Sequence, residues 1–281
     1  MSMKTILVPM EHHEGMRSVL ESTLLLARRF GSYIEGFPLR FGISEFVAVD
    51  PAGSIPLESY RQESLEEAAQ SRRLFEDFMR EQGVPHAAGT GAGLSFGWID
   101  DAPEGEGFVG SYGRVFDITV LSRPDSNTIG LHNRAIESGL FESGKPILLA
   151  PPKAQKQIAT NIMIHWNCST EQARTTAFAM PLIEKAERVT VLTVIGGQAV
   201  PGPSSEQLLN QLLRNGIDAK PMSVGLEGRS TGEAILAAAQ SQGCDLLVKG
   251  AYTQSRLRQM IFGGATSHIL SNAELPVIMA H

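Results

Sequence analysis

The chain has 281 residues, 42% of them apolar and 19% charged, with a formal charge of −6. That balance excludes a disordered polymer, and the acidic excess argues against a general nucleic-acid-binding surface. No apolar run is long enough to span a bilayer or act as a leader, and two cysteines, Cys168 and Cys244, build no disulfide framework. The expected compartment is a reducing cytoplasm, with both thiols buried as small hydrophobes.

Ile6-Leu7-Val8, stopped by Pro9, is predicted as a buried parallel strand. Apolar residues recur at helical spacing over Met16 to Phe30, with Arg28 and Arg29 in the last turn and Gly31 just beyond. Tyr33 to Phe37 is the second strand, and Pro38 to Pro56, rich in glycine and proline, a long loop. Tyr60 to Gln82 is amphipathic, with Leu65, Leu74, Phe75, Phe78 and Met79 on the expected core face. Val84 to Trp98 is a weak strand that takes in His86. A short helix over Glu106 to Gly113 follows, then a strand at Val115 to Leu121, a helix at Ile129 to Phe141 and a strand at Pro146 to Leu149. Pro151-Pro152 and Lys153 to Gln157 read as a linker.

The same order then returns. Strands are predicted at Ile162 to Ile164, Arg188 to Ile195, Ile217 to Val224, Leu246 to Lys249 and Val277 to Met279. Helices are predicted at Thr170 to Ala186, Ser205 to Arg214 and Thr231 to Gln242, and an amphipathic segment follows Gly250. Asp117-Ile118-Thr119-Val120 before Pro146-Ile147-Leu148 matches Asp245-Leu246-Leu247-Val248 before Pro276-Val277-Ile278 at nearly equal spacing. The chain is therefore read as an internal duplication, 1–153 and 154–281. Each half is an α/β domain, a five-stranded mainly parallel sheet with helices on both faces.

Three segments carry a family resemblance: KTILVPM, IMIHWNCSTEQARTTAFA and CDLLVKGAYTQSRLRQMIFGGATSHILSNAELPVIM. Together they resemble a tandem universal stress protein, with two such domains in one polypeptide. Nucleotide-binding members of that family carry glycine, two residues, glycine, nine residues, then glycine and a serine or threonine. Gly250 and Gly263 match; Thr253 and Gly264 depart from the pattern, and Thr266 offers a nearby hydroxyl. The resemblance implies that the second half takes ATP, AMP or a related adenine nucleotide, with Mg only alongside a bound nucleotide. Adenosine would meet Asn167, Val194 and Gly250, with Tyr252 as a wall. Phosphates would meet Gly263, Gly264, Ala265 and Thr266, with Arg256 and Thr253 beside them. The last strands of the halves are expected to pair the domains within the chain, and a homodimer is a further expectation.

In the first half, Glu11 stands where Asn167 stands, and Ser122 where Gly250 stands. Glu11 and Asp125 put negative charge at the phosphate position, so no nucleotide is expected there. Outside the resemblance, little points to catalysis: there is no G-x-S-x-G, Walker or Rossmann motif. Seven histidines show no metal-ligand spacing, and His12-His13 are adjacent on a loop, so no metal site is expected. His165, after an apolar strand, is read as a satisfied core or pocket-edge histidine. The competing reading of the whole chain is a scaffold of the same fold that binds a protein partner and no nucleotide.

Overall fold

The computed structural model describes residues 3–11, 13, 15–40, 42, 56–87, 93–124, 131–251 and 264–281. Each repeat supplies five strands. The first contributes β1 (Thr5–Met10), β2 (Tyr33–Pro38), β3 (Ser95–Trp98), β4 (Ile118–Ser122) and β5 (Ile147–Ala150). Between them lie α1 (Met16–Phe30), α2 (Leu57–Glu81), α3 (Gly107–Gly113) and α4 (Leu131–Glu142). The second contributes β6 (Asn161–His165), β7 (Arg188–Ile195), β8 (Lys220–Gly225), β9 (Leu246–Val248) and β10 (Val277–Met279). Its helices are α5 (Thr170–Ile183), α6 (Ser205–Arg214), α7 (Thr231–Ser241) and α8 (Gly264–Asn272).

The chain folds as two compact units. One comprises Ser2–Ser122 with Asn127–Lys145; the other holds Arg123–Ser126 and Pro146–His281. In the first unit the strand order is β3-β2-β1-β4, all parallel where register is resolved. In the second it is β5-β10-β9-β6-β7-β8. There β10, β9, β6, β7 and β8 run parallel, and β5 lies antiparallel to β10 through Leu148↔Ile278. With this strand order, the right-handed rule for parallel crossovers assigns α1 and α2 to one face and α3 and α4 to the other, and likewise α5 and α6 opposite α7 and α8; α3 packs on α4 and α7 on α8. The central strands are buried on both faces: Ile6, Leu7 and Val8 in β1 and Ile162, Met163 and Ile164 in β6 are fully enclosed. Each such side chain contributes about 1.5–3 kcal/mol of burial.

One device recurs in both units. The residue before β9, Asp245, is buried, and its Oδ1 accepts the Thr160 and Asn161 amides, both at 2.9 Å. The residue before β4, Asp117, accepts the Lys4 amide at 2.6 Å and the Thr5 amide at 3.1 Å. Each aspartate thus pins the start of the neighbouring parallel strand, where the first amides have no ladder partner. Helix starts are also fixed locally, with capping boxes at Ser204/Gln207 on α6 and Ser230/Glu233 on α7.

Several expectations are corrected. Among the described residues, the strand expected over Val84 to Trp98 is Ser95–Trp98, and His86 makes a single bridge to Phe96. In α2 the buried residues are Ser64, Ser71, Phe75, Phe78 and Met79, while Leu65 is 56% exposed and Leu74 39%. The amphipathic face holds in the last turns, but the first half of this 25-residue helix has little buried surface. Cys244 is buried as expected and Cys168 is not; the two thiols are free. Most of the loop from Pro38 to Pro56, Asp125, and the segment 252–263 with Tyr252, Thr253, Arg256 and Gly263 lie outside the described residues.

Candidate functional site

The C-terminal ends of adjacent parallel strands form the natural crevice of such a sheet. In the second unit β9, β6 and β7 are neighbours, and the sequence-predicted residues fall at these ends. Asn167 lies just past β6, Val194 next to last in β7, and Gly250 just past β9. Gly264 opens α8 and is exposed, whereas Ala265 and Thr266 in the same turn are buried.

Gly250 is held by protein. Its N–H donates to Gln172 Oε1 at 2.7 Å, and Gln172, wholly buried, gives its own Nε2–H to Val248 O and Thr176 Oγ1 at 3.3 Å. A Cβ at Gly250 would stand 2.5 Å from Gln172 N and 2.7 Å from Glu171 C. The glycine is therefore required by the close approach of the first turn of α5, independent of any ligand. Asn167 is buried and bonded likewise: its Oδ1 accepts the Ser169 amide at 3.3 Å and its carbonyl the Val200 amide at 3.1 Å. Cys168 between them adopts φ +66°, a left-handed conformation costly for a residue with a Cβ. Gly202 packs on it, since a Cβ there would lie 2.9 Å from Cys168 Cβ. Trp166 Nε1–H donates to Pro203 O at 2.8 Å, so the connection after β7 is fastened onto the loop after β6.

Two ionisable groups sit beside this loop. Lys249 follows β9, is buried, and donates from Nζ to Gly250 O at 2.5 Å. Burial pushes its ammonium down to about 8, partly opposed by Glu171. His165 ends β6, one residue beyond the Ile164↔Val248 pair, and is buried. Burial, and then the charge of Lys249, holds it well below the usual histidine range. Its Nδ1 has no hydrogen-bond partner among the described residues, which corrects the expectation of a satisfied histidine. Lys249, a cation inside an apolar run, was visible in LLVKG but had no assigned role.

The corresponding end of the first unit is built differently. Glu11, just past β1, accepts from His132 Nδ1 at 2.7 Å, and His132 is buried in α4. Ser122, the last residue of β4, places Oγ 3.2 Å from His13 Nε2 and 3.4 Å from His132 Nδ1. One ligand-capable atom each from Glu11, His13 and His132 lies within 4.8 Å of the others. Sequence spacing does not reveal this cluster, because His132 meets Glu11 only through the pairing of β1 with β4.

With this geometry in view, residues 161–281 match the family model described as the Universal stress protein family. That match coincides with the second repeat. Among solved structures, the chain is similar along its whole length to a universal stress protein from Archaeoglobus fulgidus DSM 4304. The identity is 15% and the TM-score 0.72, with 100% of this chain and 99% of that one covered. A functionally unknown protein from Pseudomonas aeruginosa PAO1 is similar at 12% identity and TM-score 0.55, covering 99% and 92%. At such identities the likeness shows the fold alone. No curated protein matches the chain.

Proposed function

We propose that the protein is a stress-linked regulatory module whose second unit binds an adenine nucleotide, ATP or AMP, and which acts by binding rather than catalysis. One observation carries this reading. Within the segment that matches the family, Asn167, Val194 and Gly250 share the ends of three adjacent parallel strands. Adenosine lies against Val194 and Asn167 and beside the Gly250 backbone. Its phosphates lie at the first turn of α8, where helix N-terminal amides favour anionic oxygen. Gly264, Ala265 and Thr266 serve there, and Gly263, Arg256, Thr253 and Tyr252 complete the site from the preceding segment. Mg enters only with the nucleotide. The setting is cytoplasmic, with the two repeats paired within one chain and a homodimer as a further level of assembly.

A second reading, a scaffold that engages a protein partner, has its own support. The Gly250 N–H and Asn167 Oδ1 already have protein partners. Calorimetric titration of the full chain with ATP and AMP separates the two, with Gly264→Asp as the probe. A Cβ at Gly264 meets nothing within 4 Å, so the variant folds, and a carboxylate at a helix N-terminus favours the helix. It repels phosphate. ATP binding is expected to weaken at least tenfold in Gly264→Asp, and Gly263→Val to weaken it by bulk. Binding unaffected by both places the phosphates elsewhere; no binding by the folded native chain establishes the scaffold reading.

A further inference from the structure

We infer that the Glu11–His13–His132 cluster of the first unit is a binding site for a divalent transition metal of the zinc type. It concerns the other unit and stands whether or not the second unit takes a nucleotide. Glu11 and Ser122 follow or end β1 and β4 at the positions that Asn167 and Gly250 hold relative to β6 and β9. Where the second unit has an amide and a glycine, the first has a carboxylate and a hydroxyl, joined by two imidazoles.

Two imidazoles and a carboxylate are a familiar three-ligand set for zinc, leaving one position for water or a further oxygen. Ligand atoms on a tetrahedral zinc with bonds of about 2.0–2.1 Å stand about 3.3 Å apart. Ser122 Oγ, at 3.2 Å from His13 Nε2 and 3.4 Å from His132 Nδ1, makes two edges of that size. Ser122 Oγ, or a water beside it, takes the fourth position. The edge from Glu11 Oε1 to His132 Nδ1 is 2.7 Å, the length of a hydrogen bond, so the metal replaces the proton held between them. Glu11 and His13 are only partly buried and can adjust, whereas His132 is fixed in α4. His13 Nδ1 now accepts the Gly15 amide at 3.0 Å, which leaves the neutral ring's proton on Nε2. Metal at Nε2 displaces that proton and turns the Gly15 amide away. A single Glu–His pair would need neither His13 nor Ser122; their convergence on the same point is what identifies a ligand set.

The test uses the full chain, stripped with a chelator and titrated with Zn2+ against a competing chelator at one fixed pH. Co2+ serves as the absorption probe. One tight equivalent per chain is expected, with a zinc-dependent rise in unfolding temperature and a Co2+ spectrum free of thiolate charge transfer. Glu11→Gln and His13→Gln should each weaken binding roughly tenfold or more and abolish that rise. Both keep side-chain size at partly buried positions, and circular dichroism checks their fold. His132→Gln gives the same loss where it folds. The inference is overturned if the folded native chain binds no Zn2+, if both conservative variants bind as tightly as native, or if Co2+ reports a thiolate ligand.

Discussion

Replacing Gly250 with alanine tests the strongest packing constraint in the second unit. The new methyl would meet the backbone of Glu171 and Gln172 at 2.5–2.8 Å, and backbone cannot rotate away. Overpacking of this kind costs about 1–3 kcal/mol. Displacing α5 also strains the buried bond from the Gly250 N–H to Gln172, worth about 1–3 kcal/mol when a buried donor is orphaned. The expected loss is about 2–6 kcal/mol, or roughly 1–3 M in the urea midpoint of the second unit's transition. Circular dichroism follows that transition. A Gln172→Ala background divides the two effects, because it removes the hydrogen bond and leaves the steric clash. There the alanine should still cost about 1–3 kcal/mol. An unchanged midpoint in Gly250→Ala would refute the account and return Gly250 to a role in ligand binding.

Asp245→Ala should destabilise the second unit by about 2–4 kcal/mol, since it orphans one buried and one half-buried strand-start amide. Chemical denaturation reads that loss, and hydrogen exchange at Thr160 and Asn161 should quicken. Lys249→Met should raise stability at pH 7, because the buried ammonium holds a pKa near 8 against an ordinary 10.5. Between those values the unfolded chain binds more protons than the folded one, so native stability rises with pH from about 8 toward 10. The advantage of the methionine should therefore shrink over that window, and urea unfolding at pH 7 and pH 10 checks the sign.

Much of the fold was legible because local and global signals agree. Met16–Phe30 and Ser205–Arg214 have the bounds that periodicity and terminal residues predict. The repeat was visible in Asp117 and Asp245, although their role as clamps needed the parallel neighbour whose amides they hold. β3 was poorly legible because Val84 to Trp98 is poor in β-branched residues, and among the described residues its ladder is confined to Ser95–Trp98 beyond one bridge at His86. In α2 the helical rhythm was correct, yet Leu65 and Leu74 face outward: periodicity gives a helix's apolar side but not how far the sheet beneath it extends. The site was half legible. Asn167, Val194 and Gly250 were placed at the strand ends by motif, while the cluster of Glu11, His13 and His132 depends on contacts across more than a hundred positions, where no spacing rule reaches.

The antiparallel partnership of β5 with β10 sets the smallest piece of this chain that can be produced alone. A fragment beginning after the Pro151-Pro152 stop would bear a complete second repeat and still leave β10 with a bare flank of amides and carbonyls. Such a flank is a template for another chain, and a fragment of that kind would self-associate or aggregate. One beginning at Pro146 keeps β5 on that flank of β10. The short connection from β5 to β6 keeps the shielding strand at high effective concentration, so in the intact polypeptide β10 meets its neighbour before it can meet a stranger.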